Sequence, residues 1–384
     1  LQSVGLELDP QFTLISGPNA SGKTSLLEAI YVLGRGRSFR TRRIEQLVRQ
    51  GAERFVVFGE VDPIGPIQRS EGTEPIQPIQ PLVLIEPGQS NAFSELPNSP
   101  QPPRVAERRV PVGVEGSASG VRARIGGAAA SSLAELALVL PVQVIDPEVH
   151  ALIEEGPNRR RQFLDWGVFH VERSFVGDWQ RYRQALKQRN AALKAGQSPA
   201  AVSAWDGDLL RYGELLSNAR VQYLALLSHH AEAIGRELLG LELALTYRAG
   251  WARDLSFAEA LKLSRSHDQA SGSTQVGPHR ADLGIRLNGQ AVKDRISRGQ
   301  QKLLAAALLI AQLKLFPDDA PLRPTLLLDD PAAELDDDRL AGLIGEVSRH
   351  SVQLVVTTLN GEFSAFGAPG RRFGVSSGRV VVVL

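Results

Sequence analysis

Over the first 35 residues the apolar positions change rhythm at one point. Leu6 and Leu8 alternate with polar neighbours, and Phe12–Ser16 (FTLIS) is a short strand-like run that stops at Gly17. Beyond the stretch GPNASGKT, Leu26, Leu27, Ile30 and Leu33 recur at three-to-four spacing. The pattern predicts strand, glycine-rich turn, helix.

Further along, the pattern separates two kinds of segment. Residues 150–240 carry helix formers with apolar residues at helical spacing, in RRRQFLDWGVFH, WQRYRQALKQRNAALKAG and LLRYGELLSNARVQYLALLSHHAEAIGRELLG. The break at Gly196–Pro199 suits a helix–helix connection. A strand-like piece, LELALTYRAG, follows, and from about residue 270 a mixed pattern returns. There SRGQQKLLAAALLIAQLKL reads as a helix, and TLLLDD and VQLVVTT read as buried strands. The expected fold class is α/β, with one lobe formed by 1–145 and 265–384 and a mainly helical lobe, 146–264, inserted between. Between Pro63 and Pro103 the chain repeats PIQ three times within a proline-dense run, which excludes helix interior and central strand. That stretch is expected to be a loop or a sheet-edge insertion.

Composition narrows the chemistry. An apolar fraction of 43% supports a substantial core, and zero cysteine excludes disulfides, thiolate catalysis and thiolate-held metals. Seven scattered histidines form no HxxxH or HExxH arrangement. No apolar run reaches the roughly 18 residues of a membrane span, and LQSVGLELDP is no basic-then-apolar leader. A soluble, cytoplasmic protein without membrane partners is expected. The net charge of +1 implies that any nucleic-acid contact is a local patch.

Two motifs point to nucleotide chemistry. Gly17-Pro18-Asn19-Ala20-Ser21-Gly22-Lys23-Thr24 matches GxxxxGK[ST] in the strand–turn–helix context that such a loop needs. Backbone N–H groups of the turn and the positive end of the helix would cradle phosphates. Lys23 would reach the β- and γ-phosphates of ATP, and Thr24 would ligate Mg²⁺. In Leu326-Leu327-Leu328-Asp329-Asp330 an apolar strand delivers acids at its end. Asp329 suits the Mg²⁺ shell, and Asp330 suits orientation of the attacking water. About 300 residues separate the two motifs. Small GTPases and nucleotide kinases bring these elements far closer, so a large insertion is expected. It lacks sustained heptads and should be compact rather than a long coiled coil.

A third motif precedes TLLLDD. Ser297-Arg298-Gly299-Gln300-Gln301-Lys302 opens a helix and is similar to the signature sequence of ABC ATPases, where Ser and Gly at a helix N-terminus bind ATP held by the other subunit. Ala333-Glu334-Leu335-Asp336 resembles the loop that crosses the dimer seam in that class. Together with GRGRSFRT (34–41), RRRQFLDWG (159–167), QRNAALK (188–194) and VGPHRADL (276–283), these residues resemble the RecF family, SMC-related ATPases of recombinational repair. The resemblance implies an ABC-type ATPase head, an ATP-dependent homodimer and slow, DNA-dependent hydrolysis. It also implies binding at single-strand/double-strand junctions and partnership with RecO and RecR in loading RecA. By the same resemblance, Gln143 matches a glutamine that senses Mg²⁺ and nucleotide, and Arg298 and Gln300 join Ser297 and Gly299 in the signature. Two departures stand out. Pro331 follows the acids, and Thr357 or Thr358 occupies the place of the usual switch histidine.

Basic residues are concentrated in three places. Arg35, Arg37, Arg40, Arg42, Arg43, Arg49 and Arg54 face only Glu45 and Glu53, a net +5 in twenty residues. The first five are the expected contacts to DNA phosphates, without sequence reading. Arg159–Arg161, and Arg181, Arg183, Lys187, Arg189 and Lys194 with Trp179 and Tyr182, are further clusters that would equally suit solvated helix faces. The competing functions are an ABC head serving an overcoming-lysogenisation-type nuclease and a transporter ATPase. The first needs a separate acidic cluster, and the second sits poorly with the basic patches.

Overall fold

The computed structural model describes residues 4–62, 109–292, 296–316, 322–331, 337–348, 352–359, 368–376 and 378–383. The proline-rich stretch and Ala333–Asp336 lie outside the described residues.

The central sheet has six strands, drawn from both ends of the chain. Across it run Arg379–Val383, Arg371–Ser376, Phe12–Ser16, Gln353–Thr358, Thr325–Asp329 and Val142–Ile145. All neighbours are parallel except the first pair, which is antiparallel. The run LLL in TLLLD is apolar on both faces because both faces are covered, as a parallel sheet requires. Leu326 and Leu328 join Leu14, Leu354 and Val356 beneath the helix Arg298–Lys314, while Leu327 joins Ile15, Val355 and Phe373 against the helix Lys23–Arg35. An inserted chain therefore separates strands that are neighbours in space, and the two termini build one lobe.

A second, antiparallel sheet of four strands, Arg54–Val61, Val110–Ser117, Gly120–Ile125 and Ala128–Ala129, covers the outer side of the Lys23–Arg35 helix. Val112 and Val114 meet Val32 and Leu33 there. The pair Val61–Val110 closes the described part of the first hairpin.

The helical layer centres on Asp206–Leu239, 34 residues or about 50 Å at 1.5 Å per residue. It ends at Gly240, whose φ of 66° and N–H to the Arg236 carbonyl form a left-handed C-terminal cap. Against it lie Phe175–Lys194, Pro157–Val171 and Arg298–Lys314. The boundary differs from the expected 264/265. Leu243–Arg248 pairs with Asp282–Leu287, and Phe257–Leu263 and Arg265–Ser271 pack together, so 265–291 belongs with the helical layer. The apolar alternation in DLGIRL finds its partner strand there, not in the central sheet.

Buried arginines hold this layer together. Arg220 bonds both oxygens of Asp165, at 2.7 and 3.0 Å, and the Pro278 carbonyl at 2.8 Å. Arg189 reaches Asp206 at 2.8 Å, Asp268 at 2.7 Å and Thr274 at 2.8 Å. Arg160 pairs with Asp282 at 2.8 Å, and Arg161 donates to the Ala281 carbonyl at 2.6 Å. The RRRQFLDWG, QRNAALK and VGPHRADL motifs are therefore ties between helices and strands. Arg160 and Arg189 are spoken for by these ties rather than presented on a basic surface, whereas Arg161, half-buried, also lines a cleft with Arg42, Arg159 and Arg280.

Candidate functional site

The turn after Phe12–Ser16 needs glycine for reasons visible in the backbone. A Cβ on Gly17 would sit 2.1 Å from the Val375 carbonyl oxygen, and Gly22 has a φ of 109°. Ala20, at φ 61°, also occupies the left-handed region, a strained conformation of the kind kept at ligand sites. No side chain caps the Lys23–Arg35 helix and no acid stands in its first turn. Its first N–H groups and positive dipole end therefore face the loop. Ser21 Oγ is buried without a hydrogen-bond partner. Lys23, also buried, folds back over the loop and donates to the Gly17 carbonyl at 2.5 Å and the Pro18 carbonyl at 3.0 Å. A cradle that a Cβ would fill, an orphaned hydroxyl and a lysine over the turn fit the phosphates of ATP.

The second motif meets the first directly. Thr24 Oγ1 donates to Asp329 Oδ1 at 3.1 Å, across 305 positions of sequence. The same oxygen accepts from Thr357 Oγ1 at 2.7 Å, and Thr357 Oγ1 accepts the Asp330 backbone N–H at 3.0 Å. Thr357 thus fixes the carboxylate and the following turn, where Asp330 is held at φ 47°. The Thr358 carbonyl receives the Gly17 N–H at 3.2 Å. One hydroxyl and one carboxylate, side by side at the strand ends, are a hard oxygen donor set that fits Mg²⁺.

Gln143 is placed differently from this group. It is buried and in register with Leu326, three residues short of Asp329, and its amide donates to Gln312 Oε1 at 2.9 Å. Gln312 in turn donates to the Phe163 carbonyl at 2.8 Å, so Gln143 begins a chain from the central sheet to the helical layer. The residue delivered beside Asp329 is Asp146. Burial raises its carboxyl to about 6, with the charges of Asp329 and Glu148 adding to the effect. The signal was present in sequence: VQVID is a strand ending in an acid, as LLLDD is.

The signature residues cap their own helix. Ser297 Oγ accepts the Gln300 N–H at 3.3 Å, and Gln300 Oε1 accepts the Ser297 N–H at 3.0 Å, a reciprocal capping box. Ser297 and Arg298 are exposed, whereas the helix is buried from Leu303 to Leu313. Gly299 presents its backbone near Arg339. Among the described residues no hydrogen bond joins this helix start to the 17–24 loop of the same chain.

Of the five arginines expected to meet DNA, four are exposed: Arg37, Arg40, Arg42 and Arg43. Arg40 lies 3.5 Å from Glu28, and Arg42 4.0 Å from Glu155. Arg35 stands apart. Its guanidinium lies over the rings of Tyr31, at 5.7 Å, and Trp166, at 5.6 Å, and burial lowers its affinity for protons. It is a wall of the cleft of about 720 Å³ between the lobes, not a surface group. Its place at the end of the amphipathic helix, one turn after Tyr31, was the available sign.

The chain is similar to known proteins along nearly its whole length. Residues 1–80 match the model of the RecF/RecN/SMC N terminal domain. The chain is 33% identical over 361 residues to the DNA replication and repair protein RecF of Vibrio vulnificus (strain CMCP6), covering 94% of this chain and 89% of that one. It is 36% identical over 387 residues to the same protein of Pseudomonas syringae pv. tomato, covering 99% and 94%. Among solved structures, RecF-ATPrS of the RecFOR pathway superposes with a TM-score of 0.75 at 25% identity, over 99% of this chain and 94% of that one. An Smc head bound to the C-winged helix domain of ScpA shares the fold, with a TM-score of 0.52 at 17% identity, over 98% and 90%.

Proposed function

Because this chain belongs to the RecF family of DNA replication and repair proteins, we propose that it is an ATP-switched DNA clamp. The observation that carries the proposal is the separation of two half-sites on one chain: a phosphate loop joined to Asp329, and the exposed, capped start of the signature helix, which among the described residues makes no hydrogen bond to that loop. Two copies facing each other would bring Ser297, Arg298, Gly299 and Gln300 of one to the loop of the other. Each helix start would add N–H groups and a dipole to the γ-phosphate.

Within each site Lys23 exchanges the Gly17 and Pro18 carbonyls for phosphate oxygens. Thr24 and Asp329 would hold Mg²⁺, and Asp330 would orient water. Magnesium, when bound, neutralises charge on the β- and γ-phosphates. Thr357 takes the station of a switch histidine by holding Asp329 rather than by carrying charge, which suits slow hydrolysis used for release. Gln143 would report on the site through Gln312, on the signature helix, rather than through contact with the cation.

Closure would bring Arg37, Arg40, Arg42 and Arg43 of both copies to a DNA backbone at single-strand/double-strand junctions, without base reading. RecO and RecR are the proposed partners, with RecA loading as the outcome, in the cytoplasm. Fluorescence anisotropy with gapped, single-stranded and duplex DNA tests the DNA half of the proposal. ATP is expected to tighten binding to the junction. Changing Arg37, Arg40, Arg42 and Arg43 to Ala removes eight contacts from a two-copy complex, so it should weaken all DNAs alike and flatten the salt dependence by up to about seven units of slope. Binding unchanged by ATP and by the fourfold variant would count against the clamp.

A further inference from the structure

Resting on that reading of the nucleotide site, we propose that Asp146 would hold water bound to its divalent cation, beside Asp329, which would bind the cation directly. The parallel ladder between Val142–Ile145 and Thr325–Asp329 ends at the pair Ile145–Leu328. One residue further on, each strand delivers an aspartate, and residues in register on parallel strands point to the same face. Adjacent strand ends in an open parallel sheet are where ligands gather.

The local electrostatics are answered only in part from within, by the charge of Arg159 across the cleft. Asp146 is half-buried next to Asp329 and Glu148, and no lysine or arginine forms an ion pair with it among the described residues. Backbone N–H groups at its own turn are its favourable contacts. Two neighbouring carboxylates repel in the protein interior, and a divalent cation between or beside them removes the repulsion. The phosphate side of the same site carries its own unfilled demand, since Ser21 is 5% exposed and its Oγ has no partner. Asp329 is tied to Thr24 and Thr357 through Oδ1. Among the described residues Asp146 shows no side-chain tie of this kind, and it comes from the neighbouring parallel strand. It is placed to accept from water in the cation's shell, a role in which removal of one carboxylate weakens metal binding without emptying the site.

The experiment is a Mn²⁺ titration of the full chain, read by electron paramagnetic resonance with a non-hydrolysable ATP analogue present. Wild type should retain Mn²⁺ in a nucleotide-dependent manner, and Asp329→Asn should lose it. Asp146→Asn, which keeps the size and the acceptor oxygen, should weaken Mn²⁺ by about tenfold. Asp146→Glu should recover part of that loss. Metal-free binding of a fluorescent nucleotide should be unchanged in Asp146→Asn, which separates a cation role from damage to the fold. If Asp146→Asn holds Mn²⁺ within twofold of wild type while Asp329→Asn does not, the assignment of Asp146 is overturned. If wild type itself retains no nucleotide-dependent Mn²⁺, the nucleotide-site reading falls, and this inference with it.

Discussion

At the scale of single residues, the site is held by small groups with more than one obligation. Thr357 donates to Asp329 and accepts from the Asp330 N–H, so its hydroxyl satisfies two buried groups. Thr357→Val keeps the shape and leaves both groups short of a partner. It should cost about 1–3 kcal/mol in urea denaturation, while Thr357→Ser stays close to wild type. His279 offers a pH test. Its Nε2 meets the Thr274 carbonyl at 3.0 Å, which makes that nitrogen the donor, so Nδ1 accepts from Tyr182 Oη at 2.6 Å. Burial lowers its pKa from 6.5 to about 4. The neutral ring's contribution is therefore complete above the unfolded value and is lost as pH falls towards about 4, because the unfolded chain takes up the proton first. The stability gap between wild type and His279→Gln, from denaturation at a series of pH values, should narrow across that window. A gap constant with pH would contradict the assignment. The loop was legible because its chemistry is contiguous, from Gly17 to Thr24. Arg35 and Arg189 were not, since a local charge count cannot tell a guanidinium stacked on Trp166 or bonded to Asp268 from one in water.

At the scale of elements, close approach decides where glycine sits. Gly167, inside Pro157–Val171, faces the long helix so tightly that a Cβ would lie 2.0 Å from Tyr223 Oη. Alanine gains about 1 kcal/mol of helix propensity, whereas forcing the ring and helix apart costs about 1–3 kcal/mol. The clash should win, and Gly167→Ala should melt below wild type. A higher melting temperature would show that the two helices are not packed this closely. The sequence patterns of the central strands and the long helix were readable because burial on both faces, or along one stripe, leaves a local period. The antiparallel sheet was not read. Arg54–Val61 and Val110–Ser117 pair across the proline-rich stretch, and their alternation has meaning only once that pairing is known. The lobe boundary was missed for the same reason, because the partner of Leu243–Arg248 lies beyond two short helices.

At the scale of the whole molecule, the wide spacing between the loop and LLLDD proved the most informative feature of the sequence. It required a sheet assembled from both ends of the chain around an insertion, and the strand order has that form. What one chain contains is a phosphate loop with its carboxylate and, elsewhere on the surface, a capped helix start with no loop of its own. The proposed function requires that a second copy complete the site. Sedimentation velocity with and without ATP, on wild type, Lys23→Met, Ser297→Arg and a mixture of the two variants, tests it most directly. Wild type should shift to a dimer with ATP, and each variant alone should remain monomeric. The mixture should recover part of the dimer, because one of its two composite sites is intact. Ser297→Arg dimerising with ATP as readily as wild type, or Lys23→Met doing so, would contradict the claim.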